Sequence, residues 1–213
     1  MIDLNASDSA LVALARSIAG DDAAGTSRLL DASPALSRVS FEAGVTRKTA
    51  KAYIDEFGRY FFTGDTALHI AAGSYRTDIV QRLIEMGADV HAKNRRGAAP
   101  LHLTAIGLPG SPTWNPQAQQ ATITCLIAAG AEPNAVDKNG VTPLHRAVRT
   151  RCATAVSALL AGGADPKRQN SSGSTPMWLA THNTGRGGTG SAEAKTQQRE
   201  IVRLLEQQVR TRR

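Results

Sequence analysis

Three histidines, His69, His102 and His145, recur at the same place in similar stretches of sequence, and imidazole is a common zinc ligand. A zinc ion needs its ligands about 2 Å away, whereas packed neighbouring helices lie about 8–10 Å apart. Each histidine also follows a Thr or Ala by three residues, where it can hydrogen-bond around the start of its own helix. We therefore predict a ladder of structural histidines, with no metal site and no catalytic role.

A glycine-rich stretch at residues 185–191 (GRGGTGS) has the glycine spacing of a phosphate-binding loop. The lysine that such a loop needs is missing, and no buried strand precedes it. The composition favours a flexible linker. A weak contact with an anion or peptide, helped by the charge of Arg186, is the alternative.

The two cysteines, Cys125 and Cys152, have no His or acid at a spacing that would make a nucleophile, and Cys125 is expected to be a small buried thiol. We find no catalytic triad, so the sequence predicts a protein that is not an enzyme and uses no cofactor. Two cysteines do not indicate a disulfide framework, which favours a reducing compartment and a cytoplasmic location.

Composition favours a single globular domain with an acidic binding partner. The chain has 213 residues, of which 41% are hydrophobic and only 4% aromatic, and its formal net charge is +7. We see no secretory signal and no run of about 18 apolar residues that would span a membrane. A basic surface attracts acidic partners rather than basic ones.

The stretch 137–170 shows most clearly which elements carry these residues. Asn139 and Gly140 predict a tight turn, Thr142 a helix N-cap and Pro143 the first helical position. Apolar residues at helical spacing follow in two short helices, and Gly163 is placed to end the second one. The pattern predicts a turn followed by two antiparallel helices.

This unit repeats along the chain. The turn glycines are Gly64, Gly97, Gly140 and Gly173, with spacings of 33, 43 and 33 residues. The longer spacing corresponds to about ten residues inserted between the two helices, and the last unit holds about 12 extra residues at the same junction. A period near 33 with two helices per unit is typical of a solenoid.

The units resemble ankyrin repeats, whose turn glycine, TPLH motif and late LL-x-x-GAD motif are matched best at 137–165. The resemblance implies an all-α fold, a solenoid of helix-turn-helix units joined by β-hairpin-like turns. It covers roughly residues 64–208 and extends more weakly back to about residue 9. The chain departs from the motif at Ala67, Ala99, Arg151, Trp178 and Gln208, and the last of these suggests a closing helix from about Arg199 with a polar outer face.

We predict a single ankyrin-repeat domain over residues 1–213. Its parts are a degenerate N-terminal cap repeat (8–34), an inserted segment (35–60), a repeat (61–93), a repeat with a loop insertion at 106–115 (94–136), a repeat (137–169) and a C-terminal repeat with a loop insertion at 181–195 (170–213). Residues 49–57 have helical character, so an extra packed helix is favoured for the inserted segment. A mobile lid is the alternative.

In the resembled family, turn tips and first helices form the surface on which partners dock. At those positions this sequence predicts a basic strip that binds an acidic partner protein, and Trp114 is a further candidate anchor. The predicted contact residues are Arg95, Arg96, Lys138, Asn139, Arg146, Arg149 and Trp114, with Arg151 adding to the basic cluster. For Trp114, folding back onto its own repeat is favoured over a role as an exposed anchor.

Binding of nucleic acid or another polyanion is the alternative function for this basic strip. Only two Trp, three Tyr and four Phe are present, and none alternates with the basic tips as a stacking platform. Nucleic acid is therefore disfavoured, and the protein is expected to act as a monomer.

Overall fold

The computed structural model describes residues 6–42, 53–54, 59–107, 109, 114–182 and 192–211. The glycine-rich stretch at 185–191 and parts of both loop insertions lie outside these residues. The chain forms two compact units, residues 1–103 and 104–213, which are described separately below.

The first unit holds an N-terminal helix pair and the first regular helix pair. Its elements are α1 (Ala6–Ala19), α2 (Ala23–Ala32), a short 3₁₀ helix (Pro34–Ser37), β1 (Tyr53–Ile54), β2 (Arg59–Tyr60), α3 (Ala67–Gly73), α4 (Thr77–Glu85) and α5 (Pro100–Thr104), which ends at the first residue of the second unit. Helix α1 packs against α2 and α3. Its apolar face, with Leu11, Leu14 and Ile18, is buried as expected for a helix that caps the repeats.

The predicted helix over residues 49–57 is wrong at Tyr53–Ile54. These two residues form β1, which pairs antiparallel with β2, so that Tyr53 lies opposite Tyr60. Near the start of the inserted segment, Phe41 N–H donates to Asp65 O at 2.8 Å, and Gly64 N–H donates to Phe41 O at the same distance. The rings of Phe41 and Phe61 lie 4.3 Å apart and are buried. Both ends of the inserted segment are thereby fixed beside the first turn.

The second unit contains two complete helix pairs and the second helix of the preceding one. Its further elements are α6 (Pro116–Ala128), α7 (Pro143–Arg149), α8 (Ala153–Ala161), α9 (Pro176–Thr181) and α10 (Ala192–Thr211). Helix α8 packs against α6, α7 and α10. The closing helix is longer than predicted, since α10 begins at Ala192, within the 181–195 insertion. It buries Ala194, Ile201 and Leu205 and leaves mostly polar residues outside.

The local features predicted for 137–170 are confirmed. Gly140 and Gly163 have φ of 67° and 97°, a conformation that glycine adopts without steric cost. Thr142 caps α7 by accepting from His145 N–H, and Pro143 occupies the first turn. No helix in the described parts of the chain is both long and apolar enough to span a membrane.

Candidate functional site

Two of the recurring histidines, His69 and His145, tie their own turn to the turn that follows. His145, which is 1% exposed, accepts from Thr142 N–H through Nδ1 at 3.3 Å, so Nε2 carries the proton and donates to Ser174 O at 3.0 Å. In the first unit, His69 makes the same contacts with Thr66 N–H and, at 3.0 Å, with Ala98 O. Among the described residues, no three His, Cys, Asp or Glu side chains could together hold a metal ion. These histidines are structural.

Burial keeps His145 neutral. It lowers the pKa of the imidazole, the hydrogen bond to Ser174 opposes this effect, and the positive charges of Arg149 and Arg168 lower the pKa further. Of these two arginines, Arg149 belongs to the last turn of α7 and Arg168 precedes the following turn.

Arg146 does not belong to an exposed surface, and its predicted exposure is wrong. Arg146 is only 8% exposed, and its Nη2 donates to Asp137 Oδ2 at 2.9 Å. Asp137 also accepts the N–H groups of Asn139 and Val141. Burial alone would raise the pKa of Asp137, but the hydrogen bonds from Arg146 and the two backbone groups outweigh it, and the pKa is lowered.

Arg151 is likewise buried, at 8% exposure, so its predicted place in the basic binding cluster is wrong. It lies between α7 and α8 in the left-handed conformation, with φ of 59°, where the resembled family has glycine. Its Nη1 donates to Ala194 O at 3.3 Å, in the first turn of α10. Arg151 thus helps to position the closing helix.

Other basic side chains of the second unit do reach solvent. Lys138, Lys167 and Arg168 are exposed, and Arg149 is half-buried at the end of α7. Lys138, Lys167 and Arg168 form no ion pair with a described residue. The turn that carries Lys138 is joined to the turn that follows Lys167 and Arg168, because Ser171 N–H donates to Asn139 O at 3.0 Å. Lys167 and Arg168 are not among the contact residues predicted from the sequence.

Arg95 and Arg96 belong to the other compact unit. Both are exposed, and the Arg96 guanidinium carbon lies 5.3 Å from the centre of the Phe62 ring. Arg95 N–H donates to Thr63 O at 2.7 Å. A continuous strip running through both units stays a prediction.

Trp114 folds back onto its own repeat. The indole is half-buried, and its Nε1 donates to Gln119 Oε1 at 3.0 Å, while Gln119 Nε2 donates to Thr104 O at 2.8 Å. Its hydrogen-bonding group is thus used internally. Both cysteines are free, and Cys152 is fully buried, whereas Cys125, which was expected to be buried, is half-buried.

Sequence reasoning missed Trp178 as a surface residue. It stands where the other units have histidine. Among the described residues, Trp178 is the large hydrophobic side chain that is exposed to solvent, at 45%. Its ring stacks on His182, with centroids 4.4 Å apart and ring planes 10° from parallel. A tryptophan at the position of the buried histidines is the signal that could have revealed it.

Comparison with known proteins agrees with this architecture. The family model described as ankyrin repeat matches residues 63–95, and the one described as ankyrin repeats (many copies) matches residues 126–180. The chain is 35% identical over 96 residues to the E3 ubiquitin-protein ligase KEG of Arabidopsis thaliana, covering 44% of this chain and 5% of that protein. It is 33% identical over 99 residues to the human B-cell lymphoma 3 protein, covering 45% and 20% of the two chains.

A third relative is the mouse cyclin-dependent kinase 4 inhibitor B, at 35% identity over 88 residues, which cover 41% of this chain and 59% of the inhibitor. The matched regions therefore span less than two thirds of the length of each of these relatives. Ankyrin repeats generally mediate protein–protein interaction. The helix pairs, the turn glycines, the histidine ladder and the family matches together identify the chain as an ankyrin repeat protein.

Proposed function

We propose that this protein is a non-catalytic interaction module that binds an acidic segment of a partner protein through basic residues of its turns and first helices. The supporting observation is the group of exposed cations in the second unit, Lys138, Lys167 and Arg168, which form no ion pair with a described residue. Arg149, in the last turn of α7, is a further half-buried cation of this unit.

The arrangement of these cations supports their acting together. Lys138 lies in the turn whose Asn139 O accepts from Ser171 N–H, and Arg168 precedes the turn that contains Ser171. Arg149 and Arg168 both lower the pKa of His145, so their charges act on the same region. Each exposed ion pair with a partner would contribute only about 0–1 kcal/mol. A cluster of them steers association and sets the choice of partner.

Arginine suits a carboxylate partner because its planar guanidinium can bind both carboxylate oxygens. Lysine adds charge without fixing the geometry. The two arginines of this cluster are therefore the residues on which we expect specificity to depend, and Lys138 and Lys167 should mainly affect the rate of association.

The two free thiols support a reducing compartment, and we place this activity in the cytoplasm. The module is proposed to act as a monomer.

Affinity capture followed by mass spectrometry tests the proposal. The triple variant Lys138→Glu/Arg149→Glu/Arg168→Glu should lose the partner that the wild type captures. The matched control Lys195→Glu/Arg199→Glu/Arg210→Glu makes the same change of net charge on exposed positions of α10 and should retain it. Equal capture by both variants would contradict the proposal. Capture that nuclease treatment abolishes would instead support the alternative, a nucleic-acid partner.

A further inference from the structure

Two turns of the repeat, those of Gly140 and Gly64, are completed by backbone atoms of the following turn. Ser171 N–H donates to Asn139 O at 3.0 Å, and three residues later Ser174 O accepts from His145 at 3.0 Å. The same pair of bonds recurs in the first unit. There Arg95 N–H donates to Thr63 O at 2.7 Å, and Ala98 O accepts from His69 at 3.0 Å.

The turn glycines show how closely the following turn approaches. A Cβ atom added to Gly140 would lie 2.7 Å from Ser171 N, and one added to Gly64 would lie 2.9 Å from Asn94 Cα. Both distances are shorter than side-chain carbons tolerate, so each of these turns is covered by backbone.

The last turn has the same shape but is not covered in this way. Ser172 O is the counterpart of Asn139 O, and no described residue donates to it. A Cβ atom added to Gly173 would meet no atom of a described residue within 4 Å, although its φ of 75° is positive like that of the other turn glycines. At the position of the buried histidines, Trp178 is 45% exposed and stacks on His182. We call Ser172, Gly173, Trp178 and His182 the terminal edge.

The surroundings of the terminal edge restrict what can cover it. A further repeat would need an apolar surface on α10, but that helix turns Ala194, Ile201 and Leu205 inward and exposes Lys195 and Arg199. A second copy of this chain would bring two basic proteins together, each with a formal charge of +7. The exposed Lys167 and Arg168 precede the turn and favour an acidic occupant.

We propose that the terminal edge binds an extended acidic segment of a partner protein. This segment donates a backbone N–H to Ser172 O and, about three residues later, places an apolar side chain against Trp178. That spacing is the one that both described turns use. Backbone hydrogen bonds of this kind supply affinity and the side-chain contact supplies specificity, and exposed tryptophans are frequent hot spots. The inference rests on the proposed function and names where the acidic segment binds.

The test uses the full-length chain carrying Trp114→Phe, in which Trp178 is the remaining tryptophan of the two in the sequence. A phage-displayed library of random peptides about 12 residues long is selected on this protein, and the selected peptides are synthesised with a fluorescent label. We expect acidic peptides with an apolar residue, and we expect their unlabelled forms to shift the emission of Trp178. Methylating the backbone nitrogen about three residues before the apolar side chain should weaken binding about tenfold or more.

Two substitutions test the tryptophan. Trp178→Ala removes the ring and should raise the Kd about tenfold or more, measured by fluorescence anisotropy. Trp178→His also removes the indole, but it introduces the residue type that helps to cap α7 in the preceding unit and should therefore leave the start of α9 intact. A rise in Kd in Trp178→His similar to that in Trp178→Ala would show that the lost indole, and not damage to α9, is the cause.

Three results would overturn the inference. The first is that the selected peptides bind Trp178→Ala with the same Kd as the parent protein. If those peptides nevertheless fail to bind the variant Lys138→Glu/Arg149→Glu, the proposed function stands and only the terminal edge is excluded as the binding site. The second is a library that yields no peptide able to shift the emission of Trp178. The third is self-association at higher concentration that Trp178→Ala abolishes, which would make a second copy the occupant.

Discussion

The guanidinium of Arg146 donates to the carboxylate of Asp137 across 2.9 Å, with side chains only 9% and 4% exposed. Asp137 lies in the turn and also accepts the N–H groups of Asn139 and Val141, whereas Arg146 lies on α7. The pair therefore fastens the first helix to its own turn. Arg146 is thus a basic residue that holds the fold, whereas the neighbouring Lys138 is exposed.

Replacing Arg146 with Met should lower the free energy of unfolding by about 3–5 kcal/mol, because it leaves the Asp137 carboxylate buried without its cation. The change Arg149→Met, one turn further and half-buried, should cost less than about 1 kcal/mol. Urea unfolding followed by circular dichroism measures both. Equal losses in the two variants would show that the ion pair is not what stabilises the turn.

The stability of the protein should fall as the pH drops below about 6.5, and part of this loss should come from His145. Its pKa is lowered in the folded state from an ordinary value of 6.5. Between these two pKa values the unfolded chain binds more protons, so acid favours unfolding, and the contribution of His145 is complete above pH 6.5. Asp137 does not add to the change in stability near pH 6.5, because its pKa is lowered from an ordinary value of 3.8. Its contribution to stability is lost only in more acidic solution, as the pH falls below that ordinary value and through the lowered pKa.

Urea unfolding at pH 7.5, 6.5 and 5.5 checks this prediction in the wild type and in His145→Gln. The variant is expected to be less stable throughout but to show a smaller decline between pH 6.5 and 5.5. An unchanged decline would mean that other groups cause the pH dependence.

Features that depend on a few neighbouring residues were predictable from the sequence. The cap at Thr142, the first-turn Pro143 and the positive φ of Gly140 and Gly163 all follow from the chemistry of single residues. The role of His145 followed from its distance of three residues from Thr142. The fold could be predicted because these signals repeat along the chain.

Exposure of individual side chains could not be predicted in the same way. The burial of Arg146 depends on Asp137, nine residues earlier, and the burial of Arg151 depends on α10, more than 40 residues later. Tyr53 and Ile54 pair with β2 in spite of the helical character of their neighbours, so local preference did not decide the structure there. Trp178 is 45% exposed although it occupies the position of the buried histidines, which the residue type alone does not reveal.

The unit 137–169 should be sensitive to loss of its core leucines. Leu144 on α7 and Leu159 on α8 are fully buried, and replacing either with Ala should cost about 2–5 kcal/mol through lost burial and the cavity left behind. The control Ser157→Ala, at an exposed position of α8, should change stability by less than about 0.5 kcal/mol. Thermal and urea unfolding give these values. Losses below about 1 kcal/mol for both leucines would contradict a central structural role for this unit.

Arg151 offers a direct test of backbone strain. At its φ of 59°, a side chain costs roughly 1–2 kcal/mol that glycine avoids, while the greater freedom of glycine in the unfolded chain costs about 0.4–1 kcal/mol. Arg151→Gly and Arg151→Ala both lose the hydrogen bond to Ala194 O, so the difference between them reports the backbone alone. We expect the glycine variant to be more stable than the alanine variant by about 0.5–1 kcal/mol.

The same two substitutions at Ser157, inside α8, supply the matched control for Arg151. There the backbone is helical, and alanine should be more stable than glycine by about 1 kcal/mol. The order of stability should therefore reverse between the two positions when urea unfolding is compared across the four variants. If alanine is favoured at both positions, the left-handed conformation of residue 151 is not a source of strain, and the guanidinium bond to α10 is the main reason for an arginine at this junction.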